Sequence, residues 1–463
     1  MVDTTRDMLT ASETLSRHVR GRVRTPGPDG GDTAGNGFQL LAPHRPTTVV
    51  EAAGPGDVGA AVGFAADHGC RVAVQATGHG RGTAMRGGVL IDTHRLCGVR
   101  VDPHRRSAWV EAGTRWQHVI DAAAPYGLAP LSGSFPGVGA VSYTLGGGVG
   151  LLARRYGFAA DHVTRLEVVT ATGRSLRVSA HEEPDLFWAL RGGGGSFGIV
   201  TGMEISLVPV ERIYGGALFF DVDRTPGVLD GWCEWTSTVP EEMTSAATVL
   251  PFPDLPTVPE PLRGRHVAQL QVSYVGSTES GKRLVEPLRG LGPVLRDTLR
   301  ELPYSESATV FDEPDQPHAY RGENILLDGP DRQELSTLLQ RTGPSAPAMC
   351  VVGIRHLGGA LGRTPWVPNA VGHRNAAYSL GVLSPVESGN EDSVRGIHRR
   401  LLALFAPRTL GRSLNFTFGG LGADQVRSAF APADYQRLRR IRAGVDPTGL
   451  FHVAHPIPPQ ESG

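Results

Sequence analysis

Residues 71–92 read RVAVQATGHGRGTAMRGGVLID. This is an alternating strand, a glycine loop and a second apolar strand. A Rossmann dinucleotide fingerprint needs GxGxxG after a strand and opening a helix, with an acidic residue about 20 positions on. Here the loop runs on towards a strand, so that fingerprint is excluded. Glycines at 78, 80 and 82 permit positive φ and close backbone approach, which suits a bulky or anionic ligand. His79 stands at the tip. Loop chemistry alone leaves it open as a phosphate contact, a general base or a metal ligand.

Outward from this loop the chain alternates strands and helices. TTVVEAA (47–53) predicts a strand, and Asp57 is expected to cap a helix over 58–69. VRVD (99–102) and SAWVEA (107–112) read as strands, and RWQHVIDAAAPYG (115–127) as a helix closed by Gly127. The uncharged stretch LSGSFPGVGAVSYTLGGGVG (131–150) cannot be regular helix or strand throughout. VTRLEVVT (163–170) and RSLRVSA (174–180) predict a hairpin, PDLFWALRGGG (184–194) a helix opening on proline, and IVTGMEISLVPV a strand ending near 210.

From 215 to 430 the texture changes. FFDV, AATVL, VAQLQVSYV, MCVVGIRHL and AAYSLGVL are strand candidates, interrupted by an extended proline-rich loop (251–264) and by helices such as SVRGIHRRLLALF. This predicts a second α+β unit with an antiparallel sheet. ADYQRLRRIRAGVDPTGLF (433–451) reads as a helix followed by a turn.

Composition narrows the function classes. With 463 residues, two or three domains are expected. Lys plus Arg (45) balances Asp plus Glu (46), so nothing draws the chain to nucleic acid or an anionic membrane. The four cysteines are scattered without CxxC, and His94, His104 and His118 lack ligand spacing, so no metal is expected. No apolar run spans a bilayer and the N-terminus lacks a signal-peptide core, which predicts a cytoplasmic protein.

Three glycine clusters, at 78–82, 133–150 and 192–198, lie beside α/β elements and suggest backbone wrapped around one long ligand. Together with Arg155-Tyr156-Gly157, Asp161, the run Pro184 to Gly195, Phe197 to Val200 and Asp446 to Phe451, they resemble the berberine bridge enzyme-like flavoprotein oxidases. These belong to the vanillyl-alcohol oxidase and p-cresol methylhydroxylase (PCMH) superfamily. The resemblance implies an α+β fold: a bipartite PCMH-type FAD-binding domain (40–212 and 429–463, after an N-terminal extension or helix, 1–39) and an inserted substrate domain (213–428) whose antiparallel sheet is covered by helices. It implies FAD held by Ala76, Thr77, Gly78, His79, Gly80, Arg81, Gly82, Ser134, Gly137, Val138, Gly139, Tyr143, Thr144, Gly146, Gly147, Gly148, Gly150, Asp161, Gly198, Ile199, Val200 and Asn415, with an 8α-histidyl bond from His79.

Two departures from the family pattern matter. Phe135 stands where many relatives carry a cysteine bonded to the flavin, so attachment through histidine alone is expected. Ser413-Leu414-Asn415 replaces a Tyr-x-Asn motif, removing the family's tyrosine base; serine is a poor substitute. Tyr378, Tyr274, His356 and Tyr143 are the replacement candidates. The expected activity is O2-dependent oxidation of a small molecule, preferably a specialised metabolite undergoing cyclisation, dehydrogenation or oxygenation, by a monomer or homodimer. The alternatives are a carbohydrate or alcohol oxidase with a tyrosine base, and a flavoprotein with a non-redox ligand-binding or cyclisation role.

Overall fold

The computed structural model describes residues 12–26 and 36–460. Much of the expected N-terminal extension therefore lies outside the described residues. Within it, residues 12–16 are helical, and Arg22–Arg24 is a strand pairing antiparallel with Thr48–Glu51. The first sheet thus begins before residue 40.

That sheet runs in the order Arg22–Arg24, Thr48–Glu51, Val89–Asp92, Val72–Gln75, Phe451–His452. Its last three pairings are parallel, so the strands are buried and read as apolar runs. Helix Pro55–Asp67 packs Val58, Ala61, Val62 and Ala65 against Val50, Val89 and Ile91 and against Val169 and Ile199 of the neighbouring sheet. Proline at the first helical position starts this helix two residues before Asp57. Asp57 is therefore not the cap. Its buried carboxylate accepts backbone N–H bonds from Arg20, Gly21 and Ala53 at 2.8–2.9 Å, stapling the N-terminal segment to the helix entry.

The second sheet is antiparallel, in the order Val99–Asp102, Ser107–Glu111, Ile199–Ser206, Val163–Val169, Ser175–Ser179. Helices Trp116–Ala123, Ala140–Leu145, Pro184–Leu190 and Pro432–Val445 contribute to the core on it. Each large apolar side chain there, such as Trp116, Phe187 or Phe197, stabilises the fold by about 1.5–3 kcal/mol.

Strands between Arg212 and Gly411 form a third, nine-stranded antiparallel sheet. Its central order is Arg212–Asp221, His266–Tyr274, Met243–Pro251, Val351–His356, Tyr378–Pro385, Tyr320–Leu327. The sequence reading misses Tyr320–Leu327, because Arg321, Glu323 and Asn324 break its apolar alternation. Helices Val228–Thr236, Thr278–Arg289, Arg332–Arg341 and Glu391–Leu402 bury one face. The other face is the roof of a large cavity.

After helix Pro432–Val445 the chain returns to the first sheet through the turn at Asp446. This fully buried carboxylate pairs with Arg442 at 2.7 Å and accepts N–H bonds from Leu450 (2.9 Å) and Phe451 (3.0 Å). Asp446→Ala leaves the buried Arg442 cation unpaired and should cost about 3–5 kcal/mol. The midpoint of thermal unfolding checks this; a variant melting like the parent would contradict it.

Candidate active site

The cavity, of about 1000 Å³, lies between the roof sheet and a floor built from residues 74–83, 133–149 and 452–455. Loop 76–82 is locked by its neighbours. Phe38 N–H donates to Thr77 O at 2.9 Å and Gln39 N–H to Gly78 O at 3.1 Å. Gly78 has φ +72°, and a Cβ there would meet Gly37 Cα at 2.6 Å, so only glycine fits. Arg81 faces inward as a strut, donating to Gln75 Oε1 (2.5 Å), Gln39 O (3.1 Å) and Ala42 O (3.2 Å). These bonds turn it to the loop itself.

His79 stacks on Phe38 with ring centroids 4.0 Å apart and planes 13° from parallel. Its Nδ1 is hydrogen-bonded to Thr77 Oγ1 at 2.7 Å, and its carbonyl accepts from the Tyr320 hydroxyl at 3.0 Å. Its Nε2 is buried without a partner. Burial, then the positive charge of Arg115, lowers its pKa to about 3, so the imidazole is neutral. Phe135 presents a ring 5.6 Å from that of His79, and no cysteine lines the cavity.

Of the residues expected to hold FAD, Ala76, Thr77, Gly78, His79, Gly80, Arg81, Gly82, Ser134, Val138, Tyr143, Gly146 and Asn415 line this cavity. Asn415 Nδ2 donates to Tyr143 O at 2.7 Å, and a Cβ at Gly146 would collide with the Asn415 side chain. The others lie off the cavity wall. Gly137 faces the Phe135 ring, Gly139 precedes helix Ala140–Leu145, and Thr144 bonds Ala140 O within it. Gly147, Gly148 and Gly150 allow close packing against Val371, Tyr143 and Ser132. Asp161 pairs with Arg374 at 2.6 Å, and Gly198, Ile199 and Val200 belong to the second sheet or its edge.

Three of the four candidate bases do not reach the cavity. Strand residues alternate between faces, and Tyr378, His356 and Tyr274 share the helix-covered face with Leu380, Ile354 and Val272. Tyr378 bonds Thr236 Oγ1 at 2.5 Å, and burial raises its pKa. His356 Nε2 meets Arg154 at 2.8 Å, and burial together with that cation lowers its pKa to about 3. Tyr274 ends its strand packed beside Gly276. Tyr143 does line the cavity, but its hydroxyl is buried without a partner, and burial pushes its pKa well above the usual phenol value.

The roof instead shows Thr248, Gln269, Gln271, Asn324, Ser379 and Arg355. Arg355 escaped the sequence reading although MCVVGIRHL holds the signal. Val352 and Ile354 mark the core face, so Arg355 belongs to the opposite one.

The floor loops and helices match known proteins in order. A family model described as an FAD binding domain matches residues 46–179, and one described as berberine and berberine like matches 414–458. The chain is an FAD-linked oxidoreductase, and its two matched segments resemble those of the berberine bridge enzyme-like oxidases. It is 30% identical over 299 residues to (R)-6-hydroxynicotine oxidase of Paenarthrobacter nicotinovorans, covering 62% of each chain. It is 25% identical over 465 residues to xylooligosaccharide oxidase of Thermothelomyces thermophilus, covering 92% of this chain and 89% of that one. Berberine bridge enzyme from Eschscholzia californica has the same fold, with a TM-score of 0.82 at 20% identity, covering 97% of this chain and 99% of that one. Among the described residues, no cluster fit for a metal occurs and no helix is long and apolar enough to cross a membrane.

The buried side chains behind the roof sheet can be tested in two ways. Tyr378→Phe removes a hydrogen bond remote from the cavity. It should lower stability by about 0.5–1.5 kcal/mol while leaving the rate of flavin reduction within about twofold. Stopped-flow reduction and thermal unfolding test both halves, and a large loss of reduction rate would return Tyr378 to the mechanism.

The second concerns pH. His356 is held near pKa 3 and His398 near 4, chiefly by burial, against 6.5 when exposed. The unfolded chain therefore binds protons that the folded chain refuses. Stability is full above about pH 6.5 and falls towards about pH 4, by up to about 1.4 kcal/mol per pH unit for each imidazole. A thermal midpoint that stays flat across this window would contradict it.

Proposed function

We propose that this oxidase carries FAD along the cavity floor, tethered through His79 alone, and oxidises a flat specialised metabolite beneath the roof sheet. The observation carrying the reading is the His79 imidazole: neutral, pinned by Phe38 and Thr77, with Nε2 buried and unpartnered beside a cavity of about 1000 Å³, large enough for a dinucleotide. The glycine-rich floor fits the cofactor too, since Gly78, Gly82 and Gly146 let the backbone pack closely and leave the cavity wall free of side chains there. In this reading residues 40–212 and 429–463 hold the cofactor and 213–428 cover the substrate.

FAD, when bound, accepts the hydride equivalent and passes the electrons to O2. The protein's own work is orientation. Phe38 and Thr77 fix the tethering imidazole. Asn415 commits its amide N–H to Tyr143 O and leaves its Oδ1 as an acceptor. The roof excludes water with Phe219, Leu250, Val351, Leu383 and Phe416, a wide and mainly apolar surface that supports a flat polycyclic substrate over a sugar. Carbohydrate oxidation is the second reading, favoured by the polar row Thr248, Gln269 and Gln271.

Mass spectrometry of acid-denatured protein should find FAD on the peptide containing His79; complete release of free FAD would overturn the tether. His79→Ala should abolish covalent flavin. Anaerobic mixing with polycyclic phenols and with oligosaccharides separates the two readings, because only the true substrate class bleaches the flavin absorbance.

A further inference from the structure

Arg355, half-buried on the cavity wall, differs from the other inward-facing arginines. Arg81, Arg154 and Arg191 donate to backbone carbonyls, and Arg374 and Arg442 pair with Asp161 and Asp446. Arg355 makes one side-chain hydrogen bond, to Ser134 Oγ at 3.1 Å, and among the described residues no ion pair. Its guanidinium lies over the rings of Phe311 and Phe416, 4.8 Å from each centroid, and all three line the cavity. Glu313 lines the same cavity and its charge acts on the guanidinium, but the two form no salt bridge.

A partly desolvated cation with no carboxylate bonded to it is costly, and the two π faces recover part of that cost. The guanidinium is a planar fork whose remaining N–H donors suit a bidentate anionic oxygen group. The flanking rings would continue as an apolar slot around any flat ring attached to that group. Ser134 adjoins Phe135, whose ring sits beside His79, so the fork lies at the His79 end of the cavity.

We propose that Arg355 selects the substrate by pairing with a carboxylate or phenolate on a planar aromatic molecule. This rests on the cavity being the substrate site, as argued above, but not on the tether or on turnover.

Calorimetric titration of the holoenzyme with 2-naphthoate and its uncharged isostere 2-naphthamide reads the site directly. The acid should bind about 10- to 100-fold tighter than the amide. Arg355→Met should abolish that preference, and Arg355→Lys, which keeps charge but not the fork, should retain part of it. Titration with 4-nitrophenolate against nitrobenzene separates a phenolate site from a carboxylate site. Equal affinity for acid and amide in the parent, together with no preference for 4-nitrophenolate, overturns the proposal whatever the variants do. So does an Arg355→Met protein whose anion affinity is unchanged while its flavin midpoint potential falls, since Arg355 would then serve the cofactor. A released flavin with the acid preference intact would sink the tether and leave this inference standing.

Discussion

The helices packed on one face of the nine-stranded sheet commit every side chain of that sheet. Leu218, Leu270, Ala247, Ile354 and Leu380 are buried beneath them in one continuous core. By the two-residue period of a strand, their neighbours must face the other way. Ala217, Gln269, Thr248, Arg355 and Ser379 thereby become the cavity roof. A one-residue slip would move every polar roof residue into the core, so the apolar core that stabilises the sheet also fixes the chemistry of the roof.

The floor obeys a different constraint. Its loops have no ladder to hold them, so they are held by stacking, by backbone bonds to residues 38 and 39, and by the inward strut Arg81. Close backbone approach demands glycine at Gly78 and Gly146, and the cavity beside the loop is mainly apolar. An imidazole placed in it cannot be hydrated as a cation, which is why His79 stays neutral. Neutrality and fixed orientation are what a nucleophilic nitrogen needs.

Much of this was legible in residues whose spacing is local. The strand–glycine loop–strand at 71–92, the hairpin across 163–180 and the helix opening at Pro184 follow from alternation, turn chemistry and proline placement. The substrate side was harder. Tyr378, His356 and Tyr274 have the right chemistry, but burial depends on which face the helices cover, and that is settled by contacts distant in sequence. Strand Tyr320–Leu327 was hidden for a related reason: Asn324 turns towards the cavity and donates to Ser379 Oγ at 2.7 Å, a bond invisible to periodicity. Asp57 was misplaced because its partners, Arg20 and Gly21, lie more than 30 residues upstream.

The cavity is also where the molecule departs from a stability optimum. An apolar-lined space of this size forfeits the packing that fills the helix-covered face, Tyr143 Oη and His79 Nε2 lack the partner that burial ordinarily demands, and the Arg355 cation has a single side-chain hydrogen bond. Such groups are retained where something else satisfies them. His79 Nε2 and the Arg355 fork both belong to the His79 end of the cavity, one on the floor and one on the roof. The proposed cofactor below and the proposed anionic substrate above would meet both groups from opposite walls.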